Sequence, residues 1–375
     1  MREGQPYTGN CLPITNHHSM SLILVINPGS TSTKLAVFDG EECRIRYTIE
    51  HSLTELAEYR DVLEQADFRQ RQVVQFVQNQ GFSPEAFSAL AVRGGILRPL
   101  PGGVYRVDER MVDDLSTGRY GRHASNLGGM IGLTLGREWN VPAYTVDPVV
   151  VDEMEEVARY SGLAGIPRLS RSHALNSRAV ARKVALDLGR SYETVNLIVA
   201  HLGGGVSVSA HRQGRMIDVN NAQSEGPFSL ERTGTLPVLA VIDLCFEGQY
   251  TREALYGLMT ERGGLFSYLG TKDFREVEER ISAGEGKAQE IVEALAYQVG
   301  KEIGAMAAVL VGQVDRVLLT GGLAHSRLLT DLIAERVAFI APLVVVPGEH
   351  EMEALASGAL SVLQGHETAR IYGEA

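Results

Sequence analysis

Two short glycine-bearing segments stand out for the chemistry their backbones permit. The first is Asn27-Pro28-Gly29-Ser30-Thr31-Ser32-Thr33-Lys34, and the second His201-Leu202-Gly203-Gly204-Gly205. In such turns backbone N–H groups converge on one spot, and the absence of a Cβ lets an anion come close, so each suits a phosphate. Alone, a glycine-rich turn between strands is more often only a hairpin. Here the two are in register. Gly29 and Gly203 are 174 residues apart, as are Gly40 and Gly214, and Asn27 falls opposite His201. A matched pair of anion-binding turns suits a polyphosphate held from both sides.

The elements that carry these turns repeat as well. Leu22–Ile49 reads strand, glycine turn, strand, glycine turn, strand, and Asn196–Ala222 reads the same way. Asp39-Gly40 and Gln213-Gly214 are expected to be tight turns, because glycine takes positive φ without steric cost. Apolar spacing predicts helices over Leu53–Gln80, His123–Glu138 and Ala288–Leu310, from about Ser326, and over Glu351–Leu363. Short strands are expected at Ala89–Val92, at Ala143–Val146 ending on Asp147, at Arg316–Leu319, and at Val344–Val346 as a last buried strand. Asp152, Glu153, Glu155 and Glu156 read as an acidic helix start, and Lys301 to Leu310 as small-residue helix packing.

The whole is an α/β chain of two duplicated domains with a cleft between them, where ligands usually sit. The expected division is a disordered extension over 1–20, domains over 21–170 and 171–365, and a tail over 366–375.

Composition narrows the function classes. At 375 residues two domains are the expected number. A net charge of −11 with Lys and Arg scattered argues against a nucleic-acid partner. No apolar run is long enough to cross a bilayer or shaped as a secretory signal. Cys11, Cys43 and Cys245 lack any C-x-x-C spacing and read as free thiols, so the expected location is the cytoplasm. His17 and His18 lack partners for a metal, and His211, His325 and His350 read as structural.

The segments I-N-P-G-S-T-S-T-K, R-G-G (Arg93–Gly95), H-A-S-N-L-G-G, V-D-P-V-V-V-D-E-M, S-H-A-L-N-S-R, A-H-L-G-G-G-V-S-V, E-R-T-G-T-L-P and L-T-G-G-L-A-H-S occur in this order between about Ser21 and Gly365. Together they resemble the acetokinase family, and most its butyrate kinase and branched-chain fatty acid kinase branch, within the actin-like ATPase superfamily. The resemblance implies two actin-like, ribonuclease H-like domains in a homodimer or higher homo-oligomer. It also implies reversible, in-line phosphoryl transfer from ATP to a short-chain carboxylate such as butyrate, isobutyrate or a similar branched acid.

Residue by residue, it implies Asn27, Ser30, Ser32 and Lys34 in the first phosphate turn, near the γ-phosphate and the metal. His201, Leu202, Gly203, Gly204 and Gly205 would form the second. Gly321, Gly322 and Leu323, within Thr320–Ala324, would cradle the adenosine, helped by Asp273 and Arg275 in the segment Lys272–Arg275. Arg93, His123, Asp147, His173 and Arg232 would line the transferring group. Mg²⁺ would be held by Glu351 with Asn27. Acetate kinases carry two adjacent glutamates near the chain end, where this chain has Glu351-Met352-Glu353.

That chemistry suits these residue types. A carboxylate is already an anion near neutral pH and needs no general base. The obstacle is bringing it up to a triphosphate, so the site needs cations, N–H donors and Mg²⁺. Arg93, Arg232, Lys34 and His173 supply that set, with His123 a further donor. Taken singly, each arginine would more often form a surface or ion-pair contact, and each histidine would more often be structural.

Acetate or propionate is an alternative acceptor. A hydroxyl kinase of the same fold would need an aspartate base, a part Asp147 keeps open; in the carboxylate kinase reading Asp147 instead orients an arginine or a metal-bound water. A nucleotide-driven switch without catalysis would need a further surface or domain, which the ten residues after Gly365 do not provide. Two departures from acetate kinases bear on acyl length. Ser172 stands where they carry a phenylalanine before the histidine matched by His173, and Gly95 where they carry valine. Both are expected to widen the acyl pocket, and two more buried methylenes favour butyrate by about 1.6 kcal/mol.

Overall fold

The computed structural model describes residues 21–374. The expected extension, with Cys11, His17 and His18, lies outside the described residues. The strands β1 (Leu22–Pro28), β2 (Ser32–Asp39) and β3 (Glu42–Glu50) form the first antiparallel unit. They are followed by α1 (Leu53–Leu56), α2 (Ala66–Asn79), β4 (Phe87–Val92), β5 (Val104–Arg106), α3 (Glu109–Thr117), α4 (Asn126–Glu138) and β6 (Ala143–Val146). Helix α5 (Ala174–Asp187) leads to the second unit, β7 (Asn196–Leu202), β8 (Val206–Arg212) and β9 (Arg215–Val219). Helices α6 (Val238–Phe246), α7 (Arg252–Thr260), α8 (Gly264–Leu269), α9 (Phe274–Ser282) and α10 (Gly286–Val309) precede β10 (Arg316–Gly321). The chain ends with α11 (Arg327–Val337), β11 (Leu343–Pro347), α12 (Glu351–Leu363) and β12 (Arg370–Ile371).

The expected duplication is present over five strands, β6-β4-β1-β2-β3 answering to β11-β10-β7-β8-β9. The first sheet runs β12-β5-β6-β4-β1-β2-β3 and the second β11-β10-β7-β8-β9. In each, a central strand (β1 or β7) pairs antiparallel with its hairpin partner on one side and parallel with a later strand on the other. Each hairpin's outer pair also shifts register once, between Val37 and Phe38 and between Ala210 and His211. Both central strands are buried on both faces and therefore read as apolar runs without alternation. Leu24 and Ile26 of β1 pack with Val73 of α2 and Ile131 of α4, while Ile23 and Val25 pack with Leu355 and Ala359 of α12. In β7, Leu197 and Val199 face Val180 and Val184 of α5, and Ile198 and Ala200 face α10. Helices α5 and α12 contact each other, so this pair lies between the sheets.

Several local expectations are adjusted. The segment expected as one helix over Leu53–Gln80 breaks after Leu56 and restarts with a 3₁₀ turn at Val62, whose N-terminus the Asp61 carboxylate caps by accepting from Leu63 N–H. His123 precedes its helix, which begins at Asn126. The first hairpin turn is Gly40-Glu41 rather than Asp39-Gly40, with Gly40 at φ 59°, while Gln213 and Gly214 both take positive φ as expected. Strand β11 is a half-exposed edge strand, not a buried one. The acidic run Asp152–Glu156 starts no α-helix. Asp152 pairs with Arg159 at 2.6 Å, and Glu153 pairs with Arg178 at 2.7 Å and accepts from Gly102 N–H.

The expected division by residue number also meets a return of the chain. Helix α12 packs on β1, β4 and β6, and β12 adds a parallel strand beside β5, so the chain's last elements rejoin the first sheet. Tyr372, within the expected tail, is buried with its hydroxyl donating to Asp114 Oδ2 at 2.8 Å.

Candidate active site

The carboxyl ends of β1, β4, β7 and β10 point their connections to one region, the usual place for ligands in open α/β sheets. Asn27 ends β1, Arg93 follows β4, His201 ends β7, and Gly321 ends β10. Glu351 opens α12 and His173 immediately precedes α5.

Glu351 ties the first half together. Its carboxylate accepts from Asn27 Nδ2 at 2.9 Å and pairs with the Arg93 guanidinium. Burial alone would raise the Glu351 pKa, but Arg93, the Asn27 hydrogen bond and the nearby His201 hold it below the usual range. Glu353 faces away and pairs with Arg46 on the surface.

His173 and His201 stack with ring centroids 3.9 Å apart. Burial pushes both below the ordinary histidine value, His173 further lowered by His201, Arg232 and Arg93, and His201 to about 4. His123 is lowered by burial and by the same two arginines. Three imidazoles are thus held neutral beside two guanidiniums.

Their hydrogen bonds fix two tautomers. Asn176 accepts from His350 N–H through Oδ1, so its Nδ2 donates to His201 Nδ1 at 2.8 Å. Ser125 N–H donates to His123 Nδ1 at 3.2 Å. Each neutral ring therefore carries its proton on Nε2, as an N–H donor. His173 Nδ1 meets Ser207 Oγ at 2.9 Å.

Glycine is required at two points here. A Cβ on Gly205 would overlap the Arg232 guanidinium, which lies across the second turn and also donates to Ala222 O at 3.1 Å. Gly321, at φ 89°, sits where a Cβ would overlap the Leu202 backbone, pressing the third turn against the second. Ser229 Oγ closes the second turn by donating to Gly204 O at 2.6 Å.

The structure thus brings together Asn27, Arg93, His123, His173, His201, Gly203, Gly204, Gly205, Arg232, Gly321 and Glu351. Ser30, Ser32 and Lys34 lie on the adjoining turn and strand, Lys34 half-exposed with Glu349 3.7 Å away. Gly322 continues past Gly321, and the Leu323 side chain enters the second core.

Asp147 is not part of the cluster. It is fully buried, its carboxylate 2.9 Å from both Arg178 and Arg182 and accepting from Gly103 N–H at 2.8 Å. Burial would raise its pKa, but the two arginines hold it low. So held, it presents no free oxygen to a hydroxyl. Asp273 and Arg275 pair with each other at the exposed start of α9. That helix touches the 322–326 turn instead through Glu278, which accepts from Ser326 Oγ at 2.6 Å.

The acyl-pocket expectation also changes. A Cβ on Gly95 would overlap the Asn126 backbone, so Gly95 serves a close crossing with α4. Ser172 is buried with Oγ 3.9 Å from Met216 Sδ. His211 is structural as expected, between Tyr192 and Ser209. Among the described residues no three His, Cys, Asp or Glu side chains gather as a metal site, and Cys43 and Cys245 are free. A cavity of about 480 Å³ lies elsewhere, lined by Arg178, Arg182, Arg215 and Arg370 among others.

Sequence reasoning missed Arg69 and Asn176. Arg69 is fully buried behind the first turn, donating to Gly29 O at 2.7 Å, Ser30 O at 3.0 Å and Ser32 O at 3.1 Å. Its one sequence signal is its place four residues before Val73 and seven before Phe76, on the apolar stripe of α2. Asn176 joins His201, Thr320 and the backbone before α12. It stands inside a motif already noted, but nothing about an asparagine there marked it.

Comparison with known proteins accords with this arrangement. The acetokinase family model matches residues 159–342. A probable butyrate kinase of Listeria monocytogenes (strain HCC23) is 50% identical over 351 residues, 93% of this chain and 99% of its own. A protein named probable butyrate kinase 2, from Caldanaerobacter subterraneus, is 49% identical over 354 residues, 94% of this chain and all of its own. The crystal structure of Porphyromonas gingivalis acetate kinase superposes with a TM-score of 0.75 at 19% identity, over 92% of this chain and all of that one, which shows the shared fold. The chain belongs to the acetokinase family and is a carboxylate kinase with the actin-like α/β fold.

Proposed function

We propose that the protein transfers the γ-phosphoryl group of ATP to the carboxylate of a four-carbon acid, butyrate or isobutyrate, giving ADP and the acyl phosphate, reversibly. The observation that carries this is the convergence of Arg93, Arg232, His123, His173 and His201 on one region, with Arg93 and His201 beside the Glu351 carboxylate. Identity of about half to probable butyrate kinases along nearly the whole chain supports the acyl length.

A carboxylate oxygen of the acid attacks the γ-phosphorus in line, and the bond to the β–γ bridging oxygen breaks. No proton moves, so the protein's task is to place and neutralise charge. The two guanidiniums offset the charge on the equatorial oxygens. The Nε2–H groups of His201 and His123 add neutral donors already oriented by Asn176 and Ser125, at no reorganisation cost during the step. With Asp147 locked by Arg178 and Arg182, the hydroxyl-kinase alternative has no free base.

Glu351 and Asn27 offer one carboxylate and one amide oxygen. That fits an Mg²⁺ arriving on the nucleotide's phosphates, since such ions take one or two carboxylates and keep waters. The ion would neutralise phosphate charge. The segments 320–324 and 272–275 would hold the adenosine. Domains over 21–170 and 171–365, with α12 and β12 crossing back, would close on the substrates.

A homodimer is supported by α6, whose Leu239 and Phe246 are 73% and 86% exposed, an apolar face on a solvent-facing helix. Among the described residues no helix is long and apolar enough to cross a membrane, and we place the enzyme in the cytoplasm. Acceptor turnover under saturating Mg-ATP tests the reading: kcat/KM should be about tenfold higher for butyrate or isobutyrate than for acetate. Equal use of glycerol, or no carboxylate turnover, would exclude it.

A further inference from the structure

The first phosphate turn is held from behind by an unusual device. Arg69 is fully buried, and its five N–H groups all go to neutral oxygens. Nη1 donates to Gly29 O, Ser32 O and, at 3.3 Å, Thr33 Oγ1. Nη2 donates to Ser30 O and to Gln65 Oε1 at 2.7 Å, and Nε to Gln65 Oε1 at 3.1 Å. His51 completes the shell through Thr33 Oγ1, 2.9 Å from its Nε2. Among the described residues no carboxylate pairs with Arg69, and burial lowers its pKa to about 10. A buried cation without a counter-charge is costly and is rarely kept without a reason.

The geometry accounts for the placement. With the carbonyls of Gly29, Ser30 and Ser32 drawn inward by one planar fork, the turn's peptides are oriented with N–H groups outward. Ser30 and Thr31 are exposed, and their N–H groups meet no acceptor among the described residues. Such a row of outward amides binds an anion.

We propose that Arg69 is a positioning residue for the nucleotide phosphates: it sets the peptide orientation of the Gly29–Ser32 turn, and its unpaired charge finds its counter-charge in the bound polyphosphate. This rests on reading that turn as a phosphate site. Arginine suits the task where lysine does not, because only a fork can meet several carbonyls in one plane.

Gln65→Glu tests the charge without disturbing the geometry. The near-isosteric change places a carboxylate against the same two N–H groups and supplies Arg69 with a protein counter-ion. We expect KM for ATP to rise about fivefold, kcat to stay within twofold, and the melting temperature not to fall. Arg69→Lys, which keeps the charge and loses the fork, should raise KM for ATP and lower kcat as well. If Gln65→Glu leaves ATP affinity unchanged by calorimetry, the inference is overturned, and a structural role alone would give that result. Lys34→Ala in the same assay separates the two readings. Weakened ATP binding there with none in Gln65→Glu removes the Arg69 role only, whereas no effect in either removes the phosphate turn itself.

Discussion

The imidazole planes of His173 and His201 lie 12° from parallel at a centroid distance of 3.9 Å, a spacing that two protonated rings would not tolerate. With His51 (lowered to about 4) and His211 (to about 3), four buried histidines stay neutral in the fold because burial opposes their charge.

The sign of their pH effect follows. Unfolded histidines bind a proton near pH 6.5, while folded His51 and His201 do not until about pH 4 and His211 until about pH 3, and burial holds His173 well below 6.5 as well. Their contribution is fully present above about pH 6.5 and is lost as pH falls toward 4, at roughly 1.4 kcal/mol per pH unit for each. Urea unfolding across pH 7.5 to 5 should therefore show close to four protons taken up on unfolding at pH 5. A flat stability profile over that range would contradict the assignment.

Arg93 and Arg232 should separate in stability although both are proposed to serve the reaction. Arg93→Ala leaves Glu351 without its partner, costing roughly 3 kcal/mol as well as activity. Arg232 meets a carbonyl rather than a carboxylate, so Arg232→Ala should lower kcat by about 10³-fold with little change in melting. Equal melting temperatures for the two variants would argue against the Arg93–Glu351 pairing, and near-normal kcat in both against the mechanism.

Gly95→Val should act on folding rather than on acyl preference. Its Cβ would meet the Asn126 backbone at the entry to α4, an overlap on the order of 3 kcal/mol. Ser172→Phe would crowd Met216 in the first core and should also destabilise the fold, by roughly 1–3 kcal/mol. Measured against acetate and butyrate, Gly95→Val should leave the kcat/KM ratio unchanged. A shift of the ratio toward acetate would restore Gly95 to the pocket.

The α6 face gives a fourth expectation. Leu239→Glu with Phe246→Glu should convert a dimer to monomer in sedimentation velocity at unchanged secondary structure, because charge replaces apolar area at the contact. A wild-type monomer, or a doubly substituted dimer, would refute the assignment of this face.

How much of this could be read from the chain varies with its physical origin. The two hairpin units were legible because buried central strands leave apolar runs, and their turns carry glycine. The cluster of Arg93, His123, His173 and Arg232 followed from matched motifs, as did Glu351. Asp147 was expected to orient an arginine or a metal-bound water, and it does hold two arginines, but an aspartate's type does not reveal that these are Arg178 and Arg182 rather than the arginines of the cluster. Arg69 was hidden for the opposite reason, since an arginine in a helix normally reads as solvent-facing. The return of α12 was invisible too: Met352, Leu355 and Ala359 would give the same stripe against either sheet. Gly95 misled because a missing side chain marks a close crossing as readily as an open space.

Asn27 and Glu351 are joined across 324 positions of sequence. During synthesis the amino-terminal sheet, both glycine turns and both arginines leave the ribosome well before the carboxylate that completes them. The cluster is therefore finished only as α12 docks. Until then a nascent or prematurely terminated chain holds Arg93 with no Glu351 beside it and lacks the site's acidic member. Completion of the polypeptide and completion of this cluster thus become a single event.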